Sequence, residues 1–275
     1  MTTSLSFIEK DSFIHNLTGS TKMVFFLLWS IAAMITYDTR ILAIMLVAGI
    51  AIFRVSKLEW ADVKVAVNFM LVLIAMNMVG IYIFAPEQGV EIYGTRHELI
   101  HFVGRYSVVT EQLFYLFNFT LKYLAVMPVA LVFILATNPS EFASSLNGIG
   151  VNYKIGYAVS IALRYIPDVQ RDFHEISQAQ QARGIDLSSK DSLVSRMKNS
   201  AAILFPLVLS SLHRIETISN AMELRGFGKK RKRTWIVQKS FRKQDFVAVV
   251  IACLILAVSV GVISYTGSRY WNPFV

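Results

Sequence analysis

The sequence contains one cysteine, Cys253, and only 16 % of its 275 residues are charged. A single cysteine excludes a disulfide-stabilised scaffold and a metal cluster held by cysteines. Soluble domains carry about 25 % charged residues, so this chain has too few for an ordinary cytosolic enzyme. The chain also lacks the glycine-rich phosphate-binding motif that ends in Gly-Lys-Ser or Gly-Lys-Thr, so we do not expect it to hold ATP itself.

Apolar residues dominate instead, at 55 % of the chain, with a mean hydropathy of +0.51. A helix that spans a bilayer needs about 20 mostly apolar residues. Five stretches reach or approach that length, which predicts an all-α polytopic membrane protein with about five transmembrane helices. The predicted spans are 21–37, 41–55, 63–85, 112–136 and 245–265. The first two are short and nearly adjacent, so they predict a tight helical hairpin.

The region 137–244 differs from the rest because it holds 17 of the 27 lysines and arginines. Its two apolar stretches, 155–166 and 201–212, are too short to span and predict buried or interfacial helices. We therefore expect a membrane domain at 1–136, a cytoplasmic module with long helices at 137–244, and a last transmembrane helix with an external C-terminus at 245–275. The positive-inside rule also places the N-terminus in the cytoplasm, and no cleavable signal is evident.

A run of five basic residues, 229–233, lies shortly before the last predicted span. Such a run could bind nucleic acid, but no aromatic-interleaved binding fold accompanies it. A basic patch next to a membrane span is typical of contact with anionic lipid headgroups. We expect the lipid bilayer, and no nucleic acid, to be its partner.

Two amphipathic patterns in this region follow the same plan. Each contains a proline, then apolar residues at helical spacing, and stops at an Arg-Gly pair. An arginine before a glycine is common at helix ends, because its positive charge interacts favourably with the negative end of the helix dipole. Simple capping of the helix is therefore one interpretation. Duplication in the same context favours a second one, in which two exposed cations dock in acidic grooves of a partner. The residues that form the two patterns are Pro167, Val169, Phe173 and Ile176 before Arg183-Gly184, and Pro206, Leu212, Ile215 and Met222 before Arg225-Gly226.

The segments Ala182-Arg183-Gly184 and Leu224-Arg225-Gly226 resemble the paired Ala-Arg-Gly signatures of the transmembrane T component of energy-coupling-factor transporters, the family that includes membrane subunits of cobalt and nickel importers. Residues 137–142 and 163–167 resemble its connecting stretches. The resemblance covers most of the chain and is strongest over 137–230. Leu224 departs from it, because the family usually has alanine there, and the added bulk predicts that the second signature fits its partner differently from the first.

The resemblance implies a non-catalytic scaffold in the membrane of a prokaryotic cell. It implies that Arg183 and Arg225 dock in two ATP-binding subunits, which hold the ATP and Mg²⁺, while this chain holds no cofactor. It further implies that the apolar helix faces pass the motion of those subunits to a small substrate-binding membrane subunit, which delivers a vitamin or a metal ion.

The segment His97-Glu98-Leu99-Ile100-His101 favours a different function. Two histidines four residues apart on a helix, with a glutamate after the first, form the zinc site of metalloproteases. The alternative is therefore a membrane-bound zinc metalloprotease. Two observations argue against this alternative. The segment between the third and fourth predicted spans, which holds the motif, is too short for a catalytic domain, and no clear third zinc ligand follows the motif.

Overall fold

The computed structural model describes residues 7–8, 10–101, 107–185, 193–230, 235 and 239–274. It confirms an all-α polytopic membrane protein, with one small antiparallel sheet in the described residues. The helices are α1 Gly19–Ile35, α2 Thr39–Val55, α3 Trp60–Phe84, α4 Gln88–Tyr93, α5 Thr110–Ala136, α6 Pro139–Gly148, α7 Tyr153–Ala182, α8 Leu193–Leu224 and α9 Lys243–Thr266, and the strands are β1 Glu98–His101 and β2 Ser107–Val109.

The five predicted spans correspond, in order, to helices α1, α2, α3, α5 and α9. Within the described ranges, four helical segments are long and apolar enough to cross a membrane: α3, α5, α9 and Met197–Leu224 of α8, while α1 is apolar but shorter. The prediction that the stretch 201–212 is too short to span is wrong on length. Its flanking charged residues do not end the helix, so the apolar stretch is part of a helix of 32 residues.

Helix α5 is the centre of the membrane helices and packs against α1, α2, α3 and α4. Trp29 of α1, Leu42 and Met45 of α2, and Ala125 of α5 belong to one buried cluster. The indole Nε1 of Trp29 donates a hydrogen bond of 3.0 Å to the carbonyl oxygen of Ala125. Helices α1 and α2 follow one another through a short turn, but they do not pack as the expected tight hairpin: α1 packs on α9 and α5, and α2 packs on α5.

Helix α3 shows the surface expected for contact with lipid. Only Val63, Val67 and Ile74 are buried among its 25 residues, although the helix is apolar on all sides. Exposed side chains include Phe69, Val72 and Met76, at 64 to 71 %. An apolar surface of this extent would drive aggregation in water and is stable against hydrocarbon chains.

The side-chain ammonium group of Lys122 in α5 is buried and contacts groups of α1 and of the turn that follows it. Its Nζ donates to the carbonyl oxygen of Met34 at 2.9 Å and lies 3.3 Å from the centre of the Tyr37 ring. The Met34 carbonyl belongs to the last turn of α1, where a cation complements the negative end of the helix dipole. Lys122 therefore joins α5 to the end of α1.

A second buried group of polar side chains lies where α1 and α9 begin. The Nζ of Lys22 donates to the carbonyl oxygen of Ala136 at 2.8 Å and lies 3.4 Å from a carboxylate oxygen of Glu141. Asp245 accepts hydrogen bonds from the backbone and side chain of Thr18 at 2.8 and 3.0 Å. These bonds join the start of α1 to the end of α5, to α6 and to α9.

The chain divides into two compact units, Met1–Ser145 with Lys239–Val275 and Leu146–Gln238. The first holds the helices packed on α5, and the second holds α7 and α8. The domain limits 1–136, 137–244 and 245–275 rest on hydropathy and charge, and they stay a prediction.

Candidate functional site

The first predicted docking segment lies at the end of α7, which stops at Ala182. The backbone N–H of Ile185 donates to the carbonyl oxygen of Gln180 at 3.1 Å, and that of Gly184 donates to Gln181 at 3.0 Å. This pair of bonds defines a Schellman motif, with Arg183 as the C-cap. Gly184 has a φ of +84°, in the left-handed region where glycine suffers no steric penalty.

The end of α8 repeats the same hydrogen bonds. The N–H of Phe227 donates to Met222 at 3.0 Å, and that of Gly226 donates to Glu223 at 2.9 Å. Gly226 has a φ of +65°. The duplication seen in the sequence therefore extends to the backbone conformation, and it places an exposed arginine directly after each helix.

The residues before the two arginines are exposed as well. In the described part of the chain, Ala182 is exposed and Leu224 is 90 % exposed. An apolar side chain as open as that of Leu224, beside an exposed cation, is suited to contact with another molecule.

The two helices pack antiparallel. Near the end of α7, Gln180 donates a hydrogen bond of 3.1 Å to the carbonyl oxygen of Ala202, near the start of α8. At the other end, the ring of Phe227 lies 5.7 Å from that of Tyr153 and 4.9 Å from that of Tyr157. The two arginine-bearing ends consequently lie at opposite ends of the helix pair.

An ion pair between Asp172 and Arg214 joins equivalent positions of the two helices. Asp172 precedes Arg183 by 11 residues, and Arg214 precedes Arg225 by 11 residues. At 1.5 Å per residue, each arginine lies about 16 Å along its helix from the ion pair. The pair thus marks an approximate local two-fold centre between the two docking segments.

The apolar residues predicted to pack the helices are mostly open in this chain. Phe173, Leu212 and Ile215 are 43, 52 and 58 % exposed. Ile176, Pro206 and Met222 are half-buried, while Pro167 is exposed. Both prolines lie inside their helices and do not begin them. A role of these residues in binding a partner stays a prediction.

Sequence reasoning missed the ion pair and the contacts of Phe227. Asp172 and Arg214 lie among other surface charges, and only the antiparallel register brings them together. Phe227 did carry a signal, because an apolar residue directly after the capping glycine is typical of a Schellman motif.

The cap at Gly184 permits a direct test. No atom of the described residues lies within 4 Å of a Cβ added there, so the expected cost of Gly184→Ala is that of the left-handed backbone, about 1–2 kcal/mol. We expect the amide of Ile185 to exchange its hydrogen roughly 5- to 30-fold faster in this variant. The matched variant Gly184→Asn, whose side chain tolerates this conformation, should show a smaller increase. Equal exchange rates in all three proteins would contradict a strained cap.

The segment 97–101 does not form the helix that the zinc alternative requires. Glu98–His101 is strand β1, paired with β2. Four residues of extended chain span about 13 Å, too far for two histidines to share one metal ion at about 2 Å. His97 instead donates from its backbone to Glu111 at 3.0 Å, and its Nδ1 lies 2.5 Å from the same carboxylate.

Other features of this segment agree with a structural role. Glu98 pairs with Arg96. Among the described residues, no group of three or more His, Cys, Asp or Glu is placed to hold a metal ion. The side chain of His101 lies outside the described part of the structure, as do residues 231–233 of the basic run. The metalloprotease alternative is therefore not favoured.

Comparison with known proteins identifies the family. The family model CbiQ, described as cobalt transport protein, matches residues 10–236. Similar curated proteins are named energy-coupling factor transporter transmembrane protein EcfT. One from Staphylococcus aureus is 24 % identical over 270 residues, 95 % of this chain and 96 % of the relative. One from Brevibacillus brevis is 26 % identical over 261 residues, which cover 92 % of this chain and 94 % of the relative.

A third relative of the same name, from Limosilactobacillus fermentum, is 35 % identical over 102 residues, 37 % of this chain and 38 % of the relative. The family match covers helices α1 to α8, and with them the two arginine-bearing helix ends. The chain therefore belongs to the CbiQ family, and it is a multi-pass transmembrane T component of an energy-coupling-factor transporter.

Proposed function

We propose that this chain is the non-catalytic scaffold of an ATP-driven micronutrient importer. It joins two ATP-binding subunits, which hold ATP and Mg²⁺, to one small substrate-binding membrane subunit. The observation that carries the proposal is the pair of matching Schellman ends, each of which presents an exposed arginine. A scaffold that serves two similar motor subunits needs two similar contact points.

Arg183 and Arg225 each dock in one ATP-binding subunit. A guanidinium forms strong, often bidentate bonds with carboxylates, and the rigid cap fixes where it points. Ala182 and Leu224 add apolar contact beside the cation. The two ends face opposite ways along the helix pair, so two ATP-binding subunits can bind at once without overlap.

The N-terminus, α7 and α8 lie on the cytoplasmic side, and the C-terminus lies outside. Helix α8 has the length and composition of a span, but its partner α7 does not. Charged residues in the middle of α7, such as Arg171, Asp172 and Glu175, would each cost about 3 kcal/mol at the bilayer centre. Because the ion pair with Arg214 joins α8 to α7, both helices stay at the membrane surface.

The half-exposed apolar residues of the pair form the contact with the substrate-binding subunit. Phe173 on α7 and Leu212 and Ile215 on α8 are open in this chain. A membrane subunit resting on them would bury this apolar area and would be moved when the helices move.

Cross-linking from single cysteines tests the docking. With Cys253→Ala as background, Gln181→Cys and Glu223→Cys each place a thiol beside one arginine. In the assembled transporter we expect each to cross-link to an ATP-binding subunit. The matched control Gln170→Cys, exposed in the middle of α7, should not. Cross-links from the two ends to the substrate-binding subunit alone would contradict the proposal.

A further inference from the structure

A cavity of about 390 Å³ lies among α1, α2, α5 and α9 in the first unit. Its lining is almost wholly apolar and includes Trp29, Ala51, Phe133 and Ile255. The volume falls within the range of small-molecule sites. The cavity belongs to the first unit, whereas the arginine-bearing ends belong to the second.

The cavity lies towards one end of the membrane helices, where α1 and α9 begin and α2 and α5 end. Its lining comes from the first two thirds of α1, the first half of α9 and the last half of α2 and α5. Consecutive membrane helices run in alternating directions, so these four parts share one side. This is also the side where the N-terminal segment contributes Phe13.

The interior of the cavity offers no charge to a ligand. Lys22 contributes to the lining, but its ammonium group is bound to Ala136, His15 and Glu141. A polar solute would lose its hydrogen bonds to water without replacement, whereas an apolar chain would lose none.

The mouth of the cavity is apolar and open, and two lysines lie close in sequence to residues of its rim. Phe13, Val55 and Val247 line the cavity yet remain 48 to 53 % exposed, so they form its rim. Lys57 follows Val55 by two residues, and Lys243 lies one helical turn before Val247 on the same face of α9. Both lysines are exposed, and in the described part of the chain neither forms an ion pair.

Lys57 also has an unusual backbone. Its φ is +58°, a conformation that glycine or asparagine adopts more readily than lysine. A lysine at this position is disfavoured by the local conformation, which points to a use for its charge.

We propose that the cavity binds one acyl chain of an anionic phospholipid, whose headgroup lies against Lys57 and Lys243. The lysines next to the rim favour an apolar occupant that carries an anionic group. A single acyl chain is narrow and apolar, and in an anionic phospholipid it is attached to a charged headgroup.

Fluorescence of Trp29 tests the occupant. With Trp60→Phe, Trp235→Phe and Trp271→Phe, Trp29 is the remaining tryptophan. In nanodiscs, phosphatidylglycerol with brominated acyl chains should quench it at about a tenfold lower mole fraction than brominated phosphatidylcholine, since each lysine attracts an anionic headgroup. Equal quenching by both lipids would overturn the role of the headgroup.

Two variants of α2 test the position of the chain. Ala51→Phe fills the cavity and should remove the quenching, while Ala43→Phe, exposed on the same helix outside the lining, should keep it. Unchanged quenching in Ala51→Phe would place the lipid elsewhere and overturn the proposal.

The lysines supply a test that leaves the cavity intact. Lys57→Gln with Lys243→Gln should abolish the preference for phosphatidylglycerol, and a preserved preference would overturn the assignment of these residues. The quenching should also persist in the assembled transporter. Its loss on assembly would show that a partner subunit fills the cavity, which would overturn the proposal in the same way.

Discussion

ATP-driven uptake is expected to fall to background when Arg183→Ala and Arg225→Ala are combined. Removing one member of a desolvated charge pair costs about 2–5 kcal/mol, or roughly a 30-fold loss of affinity at the lower limit. Without either guanidinium, the ATP-binding subunits no longer hold the scaffold. Uptake of the transported nutrient in cells, together with co-purification of the ATP-binding subunits, measures the effect.

Controls separate docking from general damage. Arg171→Ala removes an exposed arginine from the same helix, and His97→Ala alters the segment that resembles a zinc motif, so both should leave uptake near normal. Each single docking variant should retain part of the binding, and Arg183→Lys should be intermediate because lysine lacks the bidentate fork. Full uptake and assembly in the double variant would refute the scaffold proposal.

Cysteine labelling should place both arginine-bearing ends on the same side of the membrane. The difference in labelling between these ends and the outer loops should be all or none. In the Cys253→Ala background, Gln181→Cys and Glu223→Cys should resist an impermeant maleimide in intact cells and react after permeabilisation. Glu91→Cys in α4, which is exposed, should react in intact cells. The expected difference follows from the positive-inside distribution of basic residues.

The same labelling decides whether α8 crosses the bilayer. Its residues Met197–Leu224 are apolar enough to do so. Because α7 and α8 are antiparallel, a crossing by the pair would put the two arginines on opposite sides. Labelling of one end in intact cells with protection of the other would therefore contradict the proposed docking.

The membrane helices could be predicted closely from the sequence because bilayer thickness sets the length of each apolar run. The predicted span 112–136 and the observed Thr110–Ala136 differ by two residues at one end. The capping glycines were also predictable, since Gly184 and Gly226 end amphipathic patterns and a left-handed residue is the usual way to end a helix.

Other features depend on contacts that no local pattern encodes. Glu98–His101 forms a strand because it pairs with Ser107–Val109. In the sequence alone, the spacing of its histidines and glutamate resembles a zinc motif that is found on helices. The hydropathy pattern does not show how α7 and α8 are aligned along their axes. The ion pair between Asp172 and Arg214 could therefore not be inferred from the sequence. The apolar stretch 201–212 is shorter than α8, because Lys198 and Arg214 interrupt the apolar run without interrupting the helix.

The local two-fold centre at Asp172 and Arg214 has a mechanical consequence. Forces applied at the two arginine-bearing ends act at equal distances on opposite sides of this centre. Equal and opposite forces directed across the helix axes at these ends produce a torque about the ion pair instead of a net translation. The helix pair would then rotate about this pivot, with the smallest displacement at the centre and the largest at the two ends.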